Sequence, residues 1–216
     1  GNGERIFVTA KLPDYITLSN GDNIESYIFI TMAHDGTGQI EAALTKIRIV
    51  CNNTLNMALR HCTNKVSFKH TKNVRDRLEA GAKLMRLNNK FSKELNDTLQ
   101  YLKQQPITDE MVIDVVYKLT LTPDELNLVA MNRGMVQTVS EISTRKKNVI
   151  TSILNSIAGG PGQELYTGTK LWVYNGITSY LCNTKDYSSN EDKLLSLTSG
   201  TEYKLSQKAF DLITNI

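Results

Sequence analysis

The sequence predicts an α+β protein, with a strand meander first and a mainly helical two-thirds after it. Strand-like alternation fills roughly residues 4 to 70, capped segments of helical period run from about residue 72 to 216, and the two patterns do not interleave as crossover units would. No internal repeat or low-complexity stretch divides the 216 residues, so one α+β domain over 1–216 is the expectation.

The strand signals come in order at Arg5 to Leu12, Tyr15 to Leu18, Ser26 to His34 and Gln39 to Cys51. Ser19-Asn20-Gly21-Asp22-Asn23 and His34-Asp35-Gly36-Thr37-Gly38 separate them with residues that tolerate positive φ, as antiparallel hairpins require. The third segment is apolar on both alternations (Tyr27, Phe29; Ile28, Ile30, Met32), which predicts a central strand covered on both faces. From Arg48 to Leu59, RIVCNNTLNMAL reads as a strand turning sharply into a helix capped by Asn52 or Asn53. Lys65 to His70 reads as one more strand.

Helical spacing then begins. A first helix is expected over Asn73 to Gln104, stopped by Pro106, and a second over Asp109 to Leu119 after Thr108. Thr122-Pro123-Asp124-Glu125 opens a third with a cap, a proline at the first helical position and the acid of a capping box. Its pattern predicts continuation towards Ile157 and an end at Gly159-Gly160-Pro161-Gly162. Thr169 to Leu181 carries the sole tryptophan, and Leu194 and Phe210 anchor two shorter helices.

No run approaches the roughly 20 apolar residues of a membrane helix, and GNGERIFV has neither the basic head nor the apolar stretch of a secretory signal, so a cytoplasmic protein without membrane contact is expected. Cys51, Cys62 and Cys182 are three and widely spaced, which predicts reduced, buried thiols and no disulfide framework. The net charge of +3 is uneven: Arg60 to Lys103 holds eleven basic against four acidic residues, a local +7 that leaves −4 for the remainder.

Projected at about 100° per residue, the first helix gathers Val74, Leu78, Met85, Phe91, Leu95 and Leu99 into an apolar arc. Lys72, Arg75, Lys83, Arg86, Lys90 and Lys93 fall opposite, with Glu79 among them. Such a ridge has two readings: a surface that tracks the phosphates of a nucleic-acid strand, or an ordinary solvated helix face. Arg145-Lys146-Lys147, Arg48, Arg60 and Lys69 would strengthen the first reading by converging on it. Tyr15, Tyr27, Phe29, Phe68 and Tyr101 are the aromatic residues available either to stack on bases or to fill a core.

Catalytic and cofactor signals are weak. The Gly159–Gly162 run lacks the Lys-Ser or Lys-Thr and the preceding strand of a phosphate loop, and Gly1-Asn2-Gly3 precedes a strand instead of joining strand to helix. Cys51, His61, Cys62 and His70 are ligand types zinc accepts, but their spacing fits no usual finger. Asp109-Glu110 and Asp124-Glu125 suit helix starts. No cofactor, metal or catalytic residue is therefore assigned, and the expectation leans away from an enzyme.

The segments GNGERIFVTAKLP, ITMAHDGTGQIEAALTKIRIVCNNTLNMAL, VSFKHTKNVRDRLEAG and GTKLWVYNGITSYL resemble the phage/plasmid-like proteins grouped as domain of unknown function 932. The most specific run is Arg48, Val50, Cys51, Asn53, Thr54 and Leu55, followed by His70-Thr71 and by Trp172, Asn175 and Tyr180. Members of that family carry further residues before the GNG, which implies that this chain is the central and C-terminal part of a longer protein. The resemblance implies a setting in phages, prophages or plasmids and no established activity. In element order the chain is also similar to the annealing proteins of phage recombination, the RecT, Red-beta and Erf kind, which hold single-stranded DNA in a basic groove and often form rings.

Two functions follow as expectations. One is non-catalytic binding of single-stranded nucleic acid in replication or recombination, with Lys83, Arg86, Lys90 and Lys93 on phosphates and Arg48, Lys69 and Arg75 as further groove residues. The other is a module that binds a host or phage protein through an exposed apolar patch around Trp172 and Tyr174. An oligomer is compatible with both. The RIVCNNTL motif itself is either a site or a determinant of the fold.

Overall fold

Residues 5–19, 21–33, 40–48, 53–55, 65–68, 74–198 and 200–216 are described by a computed structural model. They form an α+β protein, antiparallel strands followed by helices. The chain divides into two compact units, the first comprising Gly1–Val50 and Met57–Gln100, the second Cys51–Asn56 and Tyr101–Ile216.

In the first unit, β1 (Arg5–Ser19) and β2 (Asp22–Ala33) make a hairpin that turns at Gly21. The two separate strands expected at Arg5 to Leu12 and Tyr15 to Leu18 are thus one. Pairing runs from Arg5↔Ala33 to Lys11↔Tyr27 and resumes at Tyr15↔Glu25, so Leu12-Pro13-Asp14 oppose Ser26 alone. Proline has no N–H for the ladder, and the chain absorbs it as a bulge instead of a break. β3 (Ile40–Arg48) pairs with the far edge of β2, from Ile24↔Arg48 to Thr31↔Glu41, which makes β2 central as expected. β5 (Lys65–Phe68) pairs antiparallel with Ile40 to Ala43.

Side chains that share one face of these strands are buried: Leu12, Ile16 and Leu18 of β1, Ile24 and Ser26 of β2, Ala42 and Leu44 of β3. The long helix α1 (Val74–Gln104) contributes Phe91, Leu95 and Leu99, each at most 2% exposed and spaced four apart on one stripe. The expected partners Val74, Leu78 and Met85 have side chains outside the described residues. Asn88, on the same stripe and fully buried, donates from Nδ2 to Asp14 Oδ2 at 2.8 Å. Ser26 and Ser92 donate to the same oxygen at 3.3 and 3.5 Å. The bulge therefore supplies an inward carboxylate that joins the hairpin to α1. Tyr27 and Ile28 remain half-buried, so the central strand is less completely covered than its composition suggested.

The helix expected after Asn52 or Asn53 falls mostly outside the described residues, and the part that is described is not helical. Asn53–Leu55 is a short strand, β4, assigned to the second unit. Leu55, Met57 and Leu59 satisfy a period of two as well as a helical one, and Asn and Thr are poor helix formers. The capping roles suggested for Asn52, and the strand end and cap suggested for His70 and Thr71, lie outside the described residues.

Helix α2 (Asp109–Thr120) starts where expected, with Thr108 Oγ1 accepting from the Met111 N–H. Helix α3 (Pro123–Met131) has the expected capping box: Glu125 N–H donates to Thr122 Oγ1, and Thr122 N–H to Glu125 Oε2 at 2.8 Å. It does not continue to Ile157. Arg133 and Gly134 take φ of 58° and 76°, and the Gly134 N–H closes on the Val129 carbonyl at 2.9 Å, a left-handed stop that two such residues impose. A new helix, α4 (Thr144–Gly159), begins after the cap Ser143 and ends at the expected glycine-proline breaker.

Helix α5 (Lys170–Ser179) follows the cap Thr169 and continues into a single π turn at Tyr180–Thr184. Helices α6 (Asn190–Thr198) and α7 (Thr201–Thr214) complete the chain. From Lys170 to Cys182 every residue but Trp172 is buried, so α5 is the centre of the second unit, packed on α4 and α7. Tyr174 is fully buried, meets Phe210 edge-on with centroids 5.8 Å apart, and shares a 3.2 Å hydrogen bond with Ser206. The exposed patch expected around Trp172 and Tyr174 is therefore not present at Tyr174.

Candidate functional site

A helix that buries one stripe must show another to solvent, and in α1 that second stripe is cationic. Lys83, Arg86, Lys90 and Lys93 are all exposed, at spacings of three, four and three. At about 100° per residue they fall within an arc of about 80°, centred roughly opposite the stripe of Asn88, Phe91, Leu95 and Leu99. The four span about 15 Å of helix.

Lys90 and Arg86 are each engaged on their own helix. Lys90 lies 3.9 Å from Glu94, an i,i+4 pair of the weak surface kind, and Arg86 Nε donates to the Ala82 carbonyl of the preceding turn at 3.3 Å. Lys83 and Lys93 have no ion pair among the described residues. Glu79, the acid expected within the stripe, is exposed as well.

The other expected cations are placed less completely. Arg48 is the last residue of β3, opposite Ile24, and Arg75 lies in the first turn of α1, with both side chains outside the described residues. Lys69, Lys72 and Arg60 lie outside them altogether. Arg145, Lys146 and Lys147 belong to the second unit, where Lys146 clasps both carboxylate oxygens of Glu125 at 2.7 and 2.6 Å and Lys147 donates to the Gln137 carbonyl at 3.1 Å. Those two lysines tie α4 to the segments before it. The Lys146 hydrogen bond holds the Glu125 carboxyl below its ordinary value, helped by the Thr122 N–H.

Among the aromatic residues, Tyr15 stands 65% exposed at the bulge and Tyr101 is exposed too. Tyr27 instead donates to Glu25 Oε2 at 2.6 Å, and Lys11 binds the other oxygen of that carboxylate. The Lys11 hydrogen bond, with that of Tyr27, lowers the Glu25 carboxyl, while bonding to Glu25 raises both the Lys11 ammonium and the Tyr27 phenol. Phe29 and Phe68 have side chains outside the described residues.

Cys182 is a free, buried thiol, whereas Cys51, His61, Cys62 and His70 lie outside the described residues. Among the described residues no group of three His, Cys, Asp or Glu side chains is arranged to hold a metal, and no helix is long and apolar enough to cross a membrane. Sequence reasoning missed the Asp14 and Asn88 pair because 74 residues separate them, and neither type has a periodic signature.

A family model described as Domain of unknown function (DUF932) matches residues 1–200. No curated protein and no solved structure matches the chain.

Proposed function

Because the chain belongs to the DUF932 family, whose description assigns no activity, we propose from its own surface that it binds single-stranded nucleic acid without catalysis. The setting is replication or recombination of a phage or plasmid. One observation carries this reading: Lys83, Arg86, Lys90 and Lys93 form an exposed cationic edge on a helix whose opposite stripe is buried. A stripe rigidly backed by a core presents its charges at fixed spacing, which favours contact with successive phosphates over diffuse attraction. Arg48, Lys69 and Arg75 extend the same surface in this proposal.

Fluorescence anisotropy of a labelled single strand and of its duplex, between about 50 and 200 mM salt, tests it. The variant Lys83→Gln, Arg86→Gln, Lys90→Gln, Lys93→Gln is expected to reduce the log–log salt slope by about 0.7 per contact, close to 3 in all. Unchanged affinity and slope in that variant would remove these residues from the role.

A second reading, a protein-binding module, draws on a different observation. Met131 and Met135, 80% and 51% exposed, flank the left-handed turn at Arg133-Gly134. A stoichiometric protein partner, lost on Met131→Ser with Met135→Ser while no oligonucleotide binds at low salt, would favour it.

A further inference from the structure

Arg145 and Tyr180, one from the basic run of α4 and one from the late aromatic segment, meet at a single depression of the second unit. It measures about 450 Å³, and Asn148, Ser152, Thr184, Lys185 and Asp186 complete its polar lining. That volume falls in the range of about 300–1,000 Å³ usual for small-molecule sites. The π turn at Tyr180–Thr184 with the two residues after it forms one wall and the first three turns of α4 the other. An extra residue in a helical turn widens it and re-aims the side chains that follow, and such turns recur at functional sites.

The obligations of the charges around it are unequal. Lys146 and Lys147, next to Arg145, are engaged by Glu125 and by the Gln137 carbonyl. Lys185 is engaged by the buried carboxylate of Glu202. Arg145 is exposed and has no ion pair among the described residues. An amide, two hydroxyls and a phenol line the same depression, of which the Thr184 hydroxyl already shares a 3.4 Å hydrogen bond with Ser156. Asp186 at the same depression repels any anion, so an anion held there depends on direct contact with the Arg145 guanidinium.

We infer that this depression is a binding site for a small phosphate monoester, its phosphate gripped by the Arg145 fork and by the Ser152 hydroxyl. A guanidinium meets phosphate oxygens bidentately, and neutral donors fill the remaining lone pairs. Asn148 and Tyr180 then face the organic part. The site belongs to the second unit and draws on none of the α1 cations.

Isothermal titration at low ionic strength with inorganic phosphate, a ribose phosphate and a nucleoside monophosphate tests the inference on the intact chain. Saturable one-to-one binding of a monoester, tighter than inorganic phosphate, is the expected result. Arg145→Ala is expected to weaken it about tenfold or more, and Arg145→Lys, which keeps the charge but loses the fork, to weaken it less. Thermal melting of both variants checks that the fold is retained. No saturation up to about 5 mM, or affinity indifferent to Arg145→Ala, overturns the inference. Oligonucleotide binding measured on Arg145→Ala separates this site from the proposed strand interface, because loss of one leaves the other in place.

Discussion

Helices α1 and α5 both carry a glycine in mid-helix, and a methyl group added to each would meet opposite fates. A Cβ on Gly81 of α1 would touch nothing within 4 Å, whereas one on Gly176 of α5 would stand 2.4 Å from the Ile157 Cα and 2.7 Å from Gln163 Nε2. The difference extends to the charges. On α1, Lys83 and Lys93 have no structural duty among the described residues, while on α4, against which α5 packs, Lys146 and Lys147 are bound to fixed partners. Similar local sequence, basic and helical, thus makes unequal bonds. Net charge alone does not separate them; the bonds each cation already makes do.

The contrast breaks most visibly at Gly176. Gly176→Ala forces backbone apart where α4 and α5 approach, and is expected to destabilise the second unit by about 3 kcal/mol in urea unfolding. A cost below about 1 kcal/mol would mean the two helices are looser than their approach implies. Next comes the polar anchor of α1: Asn88→Ala leaves the Asp14 carboxylate without its shortest donor, an expected loss of about 2 kcal/mol by the same measurement.

Lys146→Ala tests whether the basic run of α4 is structural. Its loss should cost about 0.5 to 1 kcal/mol at neutral pH. Since the Glu125 carboxyl is held below its ordinary 4.5, the stabilisation is complete above that value and disappears as pH falls through the lowered one. Melting curves of native and variant proteins should therefore converge once pH falls below that lowered value. The smallest effect has the opposite sign. Gly81→Ala should raise stability by about 0.5 to 1 kcal/mol, because only the helix propensity changes.

What the sequence made legible was the chemistry of neighbours. Thr108, and Thr122-Pro123 with Glu125, mark helix starts that the structure has, since a cap is decided within three residues. The cationic stripe of α1 was readable for the same reason, its spacing being a property of one helix. Elements decided at a distance were not. The gap expected between strands at Leu12 and Tyr15 is a bulge within one strand, and its Asp14 meets Asn88. Arg133-Gly134 stops a helix that the apolar period would have continued, and Tyr174, aromatic and plausible on a surface, lies beneath α7. Neither the depression at Arg145 nor its link to Tyr180 could be read from positions 35 residues apart in the chain.

The bond from Asn88 to Asp14 also orders events in time. During synthesis the β1–β2 hairpin leaves the ribosome with its apolar face bare, and the helix that supplies Phe91 and Leu95 to that unit follows 74 residues behind the bulge. At about 5 to 20 residues per second, the nascent strands wait roughly 4 to 15 s for it. For that interval the growing chain displays an unsheathed sheet, the form in which a holding chaperone, or a second nascent copy, would meet it.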